Sequence, residues 1–122
     1  MTTVVDYIKS VIESDTFGND PQVRYMRRVF ARIEKAQNIL LEKIGMTCFD
    51  ERLRRFREMA LKLFEKTWGI AMQRGIVENE EDAAILYLYC LSYAFSTRGI
   101  SVPFDALPEH KEIQKFTKEV FK

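Results

Sequence analysis

Ala83–Phe95 reads AAILYLYCLSYAF, a run in which only Ser92 lacks an apolar body. A helix apolar on every side belongs inside something, the middle of a helical core or a membrane. A bilayer crossing needs about 20 consecutive apolar residues. Here Glu80, Glu81 and Asp82 end the run on one side and Arg98 ends it on the other. The stretch is therefore read as a buried central helix over 80–98. Asn79 is its cap, its acidic first turn sits at the positive end of the helix dipole, and Arg98-Gly99 closes it.

Two long amphipathic segments precede it. Asp20-Pro21 is a helix start, because proline at the first helical position has no N–H to leave unsatisfied. From there Val23, Met26, Phe30, Ile33, Gln37, Leu40 and Ile44 recur at alternating steps of three and four, with Val29 and Ala36 widening the stripe. That is a heptad seam with Gln37 as a single polar layer, and Gly45 ends it. The chain restarts with Thr47 and Asp50 at capping-box spacing. Phe49, Leu53, Phe56, Ala60, Leu63, Thr67 and Ile70 then repeat the heptad pattern as far as Gly75. Segments 21–44 and 48–74 read as a long antiparallel helical hairpin. Gly69 interrupts the second arm, where a close helix crossing or a slight bend is expected.

The ends are shorter. Thr3–Ser14 carries Val4, Val5, Ile8, Val11 and Ile12 on one face, and Asp15–Asp20 is a turn. Ile100–Leu107 is an extended connector containing Pro103. Pro108 opens a last helix whose inner face is Ile113, Phe116, Val120 and Phe121. No segment alternates with period two. The expected fold is all-α: one domain over 1–122, a compact bundle of about five helices, with the hairpin wrapped around the buried helix 80–98.

At 122 residues with 47% hydrophobic and 30% charged content, the chain is an ordinary globular domain and not a disordered one. The start MTTVVD has neither a basic nor a long apolar region, so no secretory signal is expected. Cys48 and Cys90 make no disulfide framework, and the cytoplasm is the expected compartment.

The near-neutral total hides a segregation. Residues 21–74 carry thirteen Lys and Arg against six Asp and Glu, whereas the rest carries six against twelve. Most of the excess is arginine, whose planar fork suits phosphate and carboxylate partners. Arg24, Arg27, Arg28 and Arg32 on the first arm, with Arg52 and Arg55 on the second, are the candidate polyanion- or partner-binding residues. A groove between the two stripes could follow a nucleic-acid backbone. The alternatives are a solvated face held by pairs such as Glu51–Arg55 and Glu58–Lys62, ion pairs with the acidic half of the same molecule, or a protein partner.

Catalytic signals are few. His110 is the sole histidine and reads as a surface residue of the last helix. No HExxH, CxxC, Glu-x-x-His, P-loop or G-x-S-x-G occurs, so no metal, cofactor or catalytic set is assigned. Cys48, in a first helical turn with Arg52 one turn on, has no visible base. Tyr87, Tyr89 and Tyr93 read as core rings with hydroxyls at the edge. Phe49, Trp68, Met72 and Phe121 are residues a monomer would leave partly exposed, which favours a homodimer or another protein partner. The expectation is a non-catalytic helical interaction module. The alternative is a small nucleic-acid-binding subunit using the arginine face.

Overall fold

The fold is described from a computed structural model over residues 21–46 and 51–121. The helix read over 3–14, its turn at 15–20, and Thr47, Cys48, Phe49 and Asp50 lie outside these residues. Among the described residues the chain is all-helical and has no strand. It comprises α1 (Pro21–Lys43), α2 (Glu51–Gln73), α3 (Glu80–Ser96), a 3-10 turn at Phe104–Ala106 and α4 (Lys111–Val120).

Helix α3 is the hub. Ala83, Leu86, Cys90, Leu91, Ala94 and Phe95 have no exposed surface. At about 100° per residue, the buried positions from Ala83 to Phe95 cover roughly 200° of its circumference. Ile85, Tyr89, Ser92 and Tyr93, on the remaining side, are half-buried. The helix is thus covered over more than half its girth and not wholly enclosed by the described residues. Asn79 caps it, its Oδ1 accepting from the Asp82 N–H at 2.9 Å.

Cross-helix pairs fix the directions. Arg28–Glu80 and Gln37–Tyr87 advance together, so α1 runs parallel to α3. Phe64–Tyr87 and Phe56–Phe95 advance oppositely, so α2 runs antiparallel to it. His110–Asp82 and Phe121–Tyr93 bring α4 alongside in the parallel sense. Helices α1 and α2 pack chiefly on α3 and only sparsely on each other. They meet where Tyr25 stacks on Trp68. The two seams read from the sequence are therefore used on α3 rather than closing on one another.

Their period also differs from the heptad expected. The buried positions of α2 are Leu53, Phe56, Ala60, Phe64, Thr67 and Ala71. Their mean step is the α-helix's own period of about 3.6, so the stripe drifts off a strict heptad. Phe64 and Ala71 take the places expected of Leu63 and Ile70, and Ile70 is 41% exposed. Gln37 is the polar layer anticipated: it is 3% exposed, and the Tyr87 hydroxyl donates to its Oε1 at 2.6 Å.

Helix α2 ends in a Schellman motif. Gly75 has φ 71°, its N–H donates to the Met72 carbonyl, and the Ile76 N–H reaches back to the Ala71 carbonyl. The same hydrogen-bond pair closes α1 and α3, and each time the residue after the glycine is a partly buried apolar one (Met46, Ile76, Ile100). α3 consequently stops at Ser96, two residues short of the Arg98 end read from the sequence. α4 begins at Lys111, not at Pro108, because His110 is its N-cap.

Gly69 is not at a close crossing. It is exposed, and a Cβ there would meet nothing within 4 Å. Gly69→Ala should therefore stabilise the fold by about 0.5–1 kcal/mol, read as a higher urea midpoint at unchanged slope.

Candidate functional site

His110 is structural. Its Nδ1 accepts from the Ile113 N–H at 3.2 Å, and its Nε2 faces Asp82 Oδ1 at 3.4 Å. Asp82 also accepts from the Glu78 N–H through Oδ2, so one carboxylate ties the starts of α3 and α4 together. The ring is half-buried, not the surface side chain expected from its place in the sequence.

The tyrosines and the thiol serve packing. Tyr87 is buried with its hydroxyl on Gln37, and burial pushes its pKa up. Tyr89 donates to the Pro108 carbonyl at 2.9 Å, and its pKa is raised by burial and then by the charge of Glu109. Tyr93 stacks on Phe121 at 4.8 Å. Burial pushes the Cys90 thiol up to about 12, the opposite of what a nucleophile requires. Among the described residues, no three His, Cys, Asp or Glu side chains converge as metal ligands would.

The six candidate arginines do not form one surface. Arg28 meets Glu80 at 3.0 Å and Arg32 meets Glu81 at 2.6 Å, so part of the basic arm is engaged by the acidic start of α3. A hydrogen bond to its own backbone, then Arg28, holds the Glu80 carboxyl below its ordinary range, against some opposing desolvation. Arg24 is exposed and Arg27 half-buried on the same arm; both have partners, as does the exposed Arg52. Arg52 and Arg55 flank Leu53 and Phe56 at the far end of α3, level with Phe95. Fifteen residues of α3 separate that level from Glu80, about 22 Å at helical rise. The intrahelical pairs expected at Glu51–Arg55 and Glu58–Lys62 are not formed; Glu58 pairs with Arg54 at 3.5 Å instead.

The described residues do form a groove of about 310 Å³ between α1, α3 and the connector that runs back to α4. Ala36, Ile39 and Leu40 of α1 and Ala84, Ile85 and Leu88 of α3 make its floor and walls, with Ala106 and Pro108 along the connector side. Arg32 and Glu81, joined across it, close one end; Lys35 and Lys43 stand on the rim. Both lysines are exposed and make no ion pair among the described residues. Ile39 is 47% exposed, although its neighbour Leu40 is 1% exposed. The signal for this face was present in the sequence: Lys35, Ile39 and Lys43 fall at i, i+4 and i+8, placing one isoleucine on a stripe of cations.

Compared with protein-family models, with curated proteins and with solved structures, the chain matches none. No helix among the described residues is long and apolar enough to cross a membrane.

Proposed function

We propose that this chain is a non-catalytic helical interaction module, acting in the cytoplasm through self-association or as a small subunit of a larger assembly. The observation that carries the reading is the groove, where the half-exposed Ile39 stands over an apolar floor between two lysines that pair with none of the described residues. An exposed isoleucine costs little by itself, but one continuous with a concave apolar surface is what a partner's side chains would cover. The placement in the cytoplasm rests on Cys48 and Cys90 making no disulfide framework in the sequence.

The alternative is a nucleic-acid-binding subunit using Arg24, Arg27, Arg28, Arg32, Arg52 and Arg55. Its support is the arginine surplus of residues 21–74. Against it stand the glutamate partners of Arg28 and Arg32 and the distance between the two groups. Retention on single- and double-stranded nucleic acid, measured as salt is raised, separates the readings. The interaction module predicts no retention at about 150 mM salt, where Debye screening is already within about 8 Å. Steeply salt-dependent retention that Arg28→Glu/Arg32→Glu abolishes would establish the alternative.

A further inference from the structure

We infer that the groove between α1 and α3 receives an amphipathic helix of a protein partner whose apolar stripe is flanked by acidic residues. This rests on the interaction-module reading and names the chemistry of its partner. From Arg32 to Lys43 the α1 wall spans eleven helical rises, about 16 Å, which matches three turns of a docked helix presenting anchors at i, i+4 and i+7. Ala36 and Ala84 face the groove from opposite walls. Their small side chains leave room for an incoming leucine, while Ile39 and Ile85 supply the area to bury.

The rim sets the charge of the occupant. Glu81 is taken by Arg32, so Lys35 and Lys43 are left as the charges a partner would meet. They stand two turns apart on one stripe, placed for carboxylates flanking a bound helix. Exposed pairs of this kind add little affinity, but they select among partners and speed their encounter. Among the described residues the groove holds no aromatic side chain on which a base could stack, and its apolar floor offers nothing to phosphate, which disfavours nucleic acid there. Among the described residues, Glu80 and Glu81 are taken by arginines, Asp82 by His110 and Glu119 by Arg74, so these carboxylates of a second copy are less free to meet the two lysines.

Two fluorescent helix-forming peptides of about 15 residues test this, a length at which an isolated helix is marginal but accessible. Both carry leucines at helical spacing; one has glutamates on the flanks and the other lysines. The acidic peptide should bind the full chain at least tenfold more tightly than the basic one, with affinity falling as salt rises. Lys35→Glu/Lys43→Glu should reverse that preference. Ile39→Glu should weaken the acidic peptide by about tenfold or more. All three substitutions are at exposed positions, and matching thermal melts confirm intact folding. Equal binding of the two peptides, no reversal, or no binding of either overturns the inference. If neither binds and light scattering shows a dimer that Ile39→Glu dissolves, the occupant is a second copy; the inference then falls while the proposed function stands. Retention of the chain on nucleic acid, as tested above, would remove both.

Discussion

Cys90→Arg should leave this chain unfolded at room temperature, whereas Leu88→Asp, two residues earlier on the same helix, should damage it severely yet leave a folded population. Cys90 has no exposed surface and lies on the arc of α3 facing its neighbours. A guanidinium there would have to shed its water inside the apolar cluster. A buried charge left unpaired costs several kcal/mol, and the whole stability of a domain this size is about 5–15 kcal/mol. Leu88 is nearly as buried, at 3% exposure, but it lines the α1–α3 groove. A carboxylate at that position can turn toward water, with the rim lysines nearby. Its cost should stay near the roughly 2–5 kcal/mol of losing a large apolar side chain. Helical circular dichroism and urea unfolding of the two variants give the ranking. Native-like melting of Cys90→Arg, or a Leu88→Asp variant more damaged than it, would mean that the buried arc of α3 is wrongly placed.

The parts of the fold legible in the sequence are those whose cause is local. Gly45, Gly75 and Gly99 end their helices through hydrogen bonds closed within six residues, and Asn79 caps α3 through the N–H three residues on. The central place of 83–95 follows from its apolar composition, although composition does not tell that Ile85, Tyr89, Ser92 and Tyr93 stay half-buried. What could not be read depends on partners distant in sequence. Gln37 was visible as a polar layer, but its partner Tyr87 lies 50 residues away. The choice between Leu63 and Phe64 for the inner face of α2 depends on which surface the helix meets. A flat core faced at period 3.6 buries Phe64, where a second coiled-coil strand would have buried Leu63. The start of α4 was missed because Pro108 and His110 are held by Tyr89 and Asp82, both on α3. The sequence leaves ion pairs between the first arm and the acidic half open as one alternative, and only the parallel packing of α1 on α3 selects those of Arg28 and Arg32. The groove was the least accessible, because a concavity belongs to three elements at once. Its one trace in the sequence, Ile39 between Lys35 and Lys43, lies outside the seam that periodicity picks out.

Raising the pH above about 9 should destabilise this protein, and the buried thiol should account for a measurable share. The Cys90 pKa is pushed from an ordinary 9.0 up to about 12, first by burial, with a hydrogen bond from Thr67 opposing the shift. Its folded-state pKa is thus raised above the unfolded one. Below about pH 9 the thiol is protonated in both states, and its contribution is complete. Between that pH and 12 the unfolded chain releases the proton while the folded chain keeps it, so stability falls as pH rises. Three pKa units at about 1.4 kcal/mol each put the full loss near 4 kcal/mol, about half of it by pH 10.5. Tyr87, buried and also shifted up, adds to the loss in the same direction, since its ionised hydroxyl could no longer donate to Gln37. Urea midpoints of the wild type and of Cys90→Ala, taken in steps from about pH 8 to pH 11, isolate the thiol. The variant should begin less stable, for want of the sulfur in a packed core, and should lose stability more slowly over that interval. Two curves that fall in parallel would show that Cys90 ionises as readily inside the fold as outside it, and that α3 admits water at its centre.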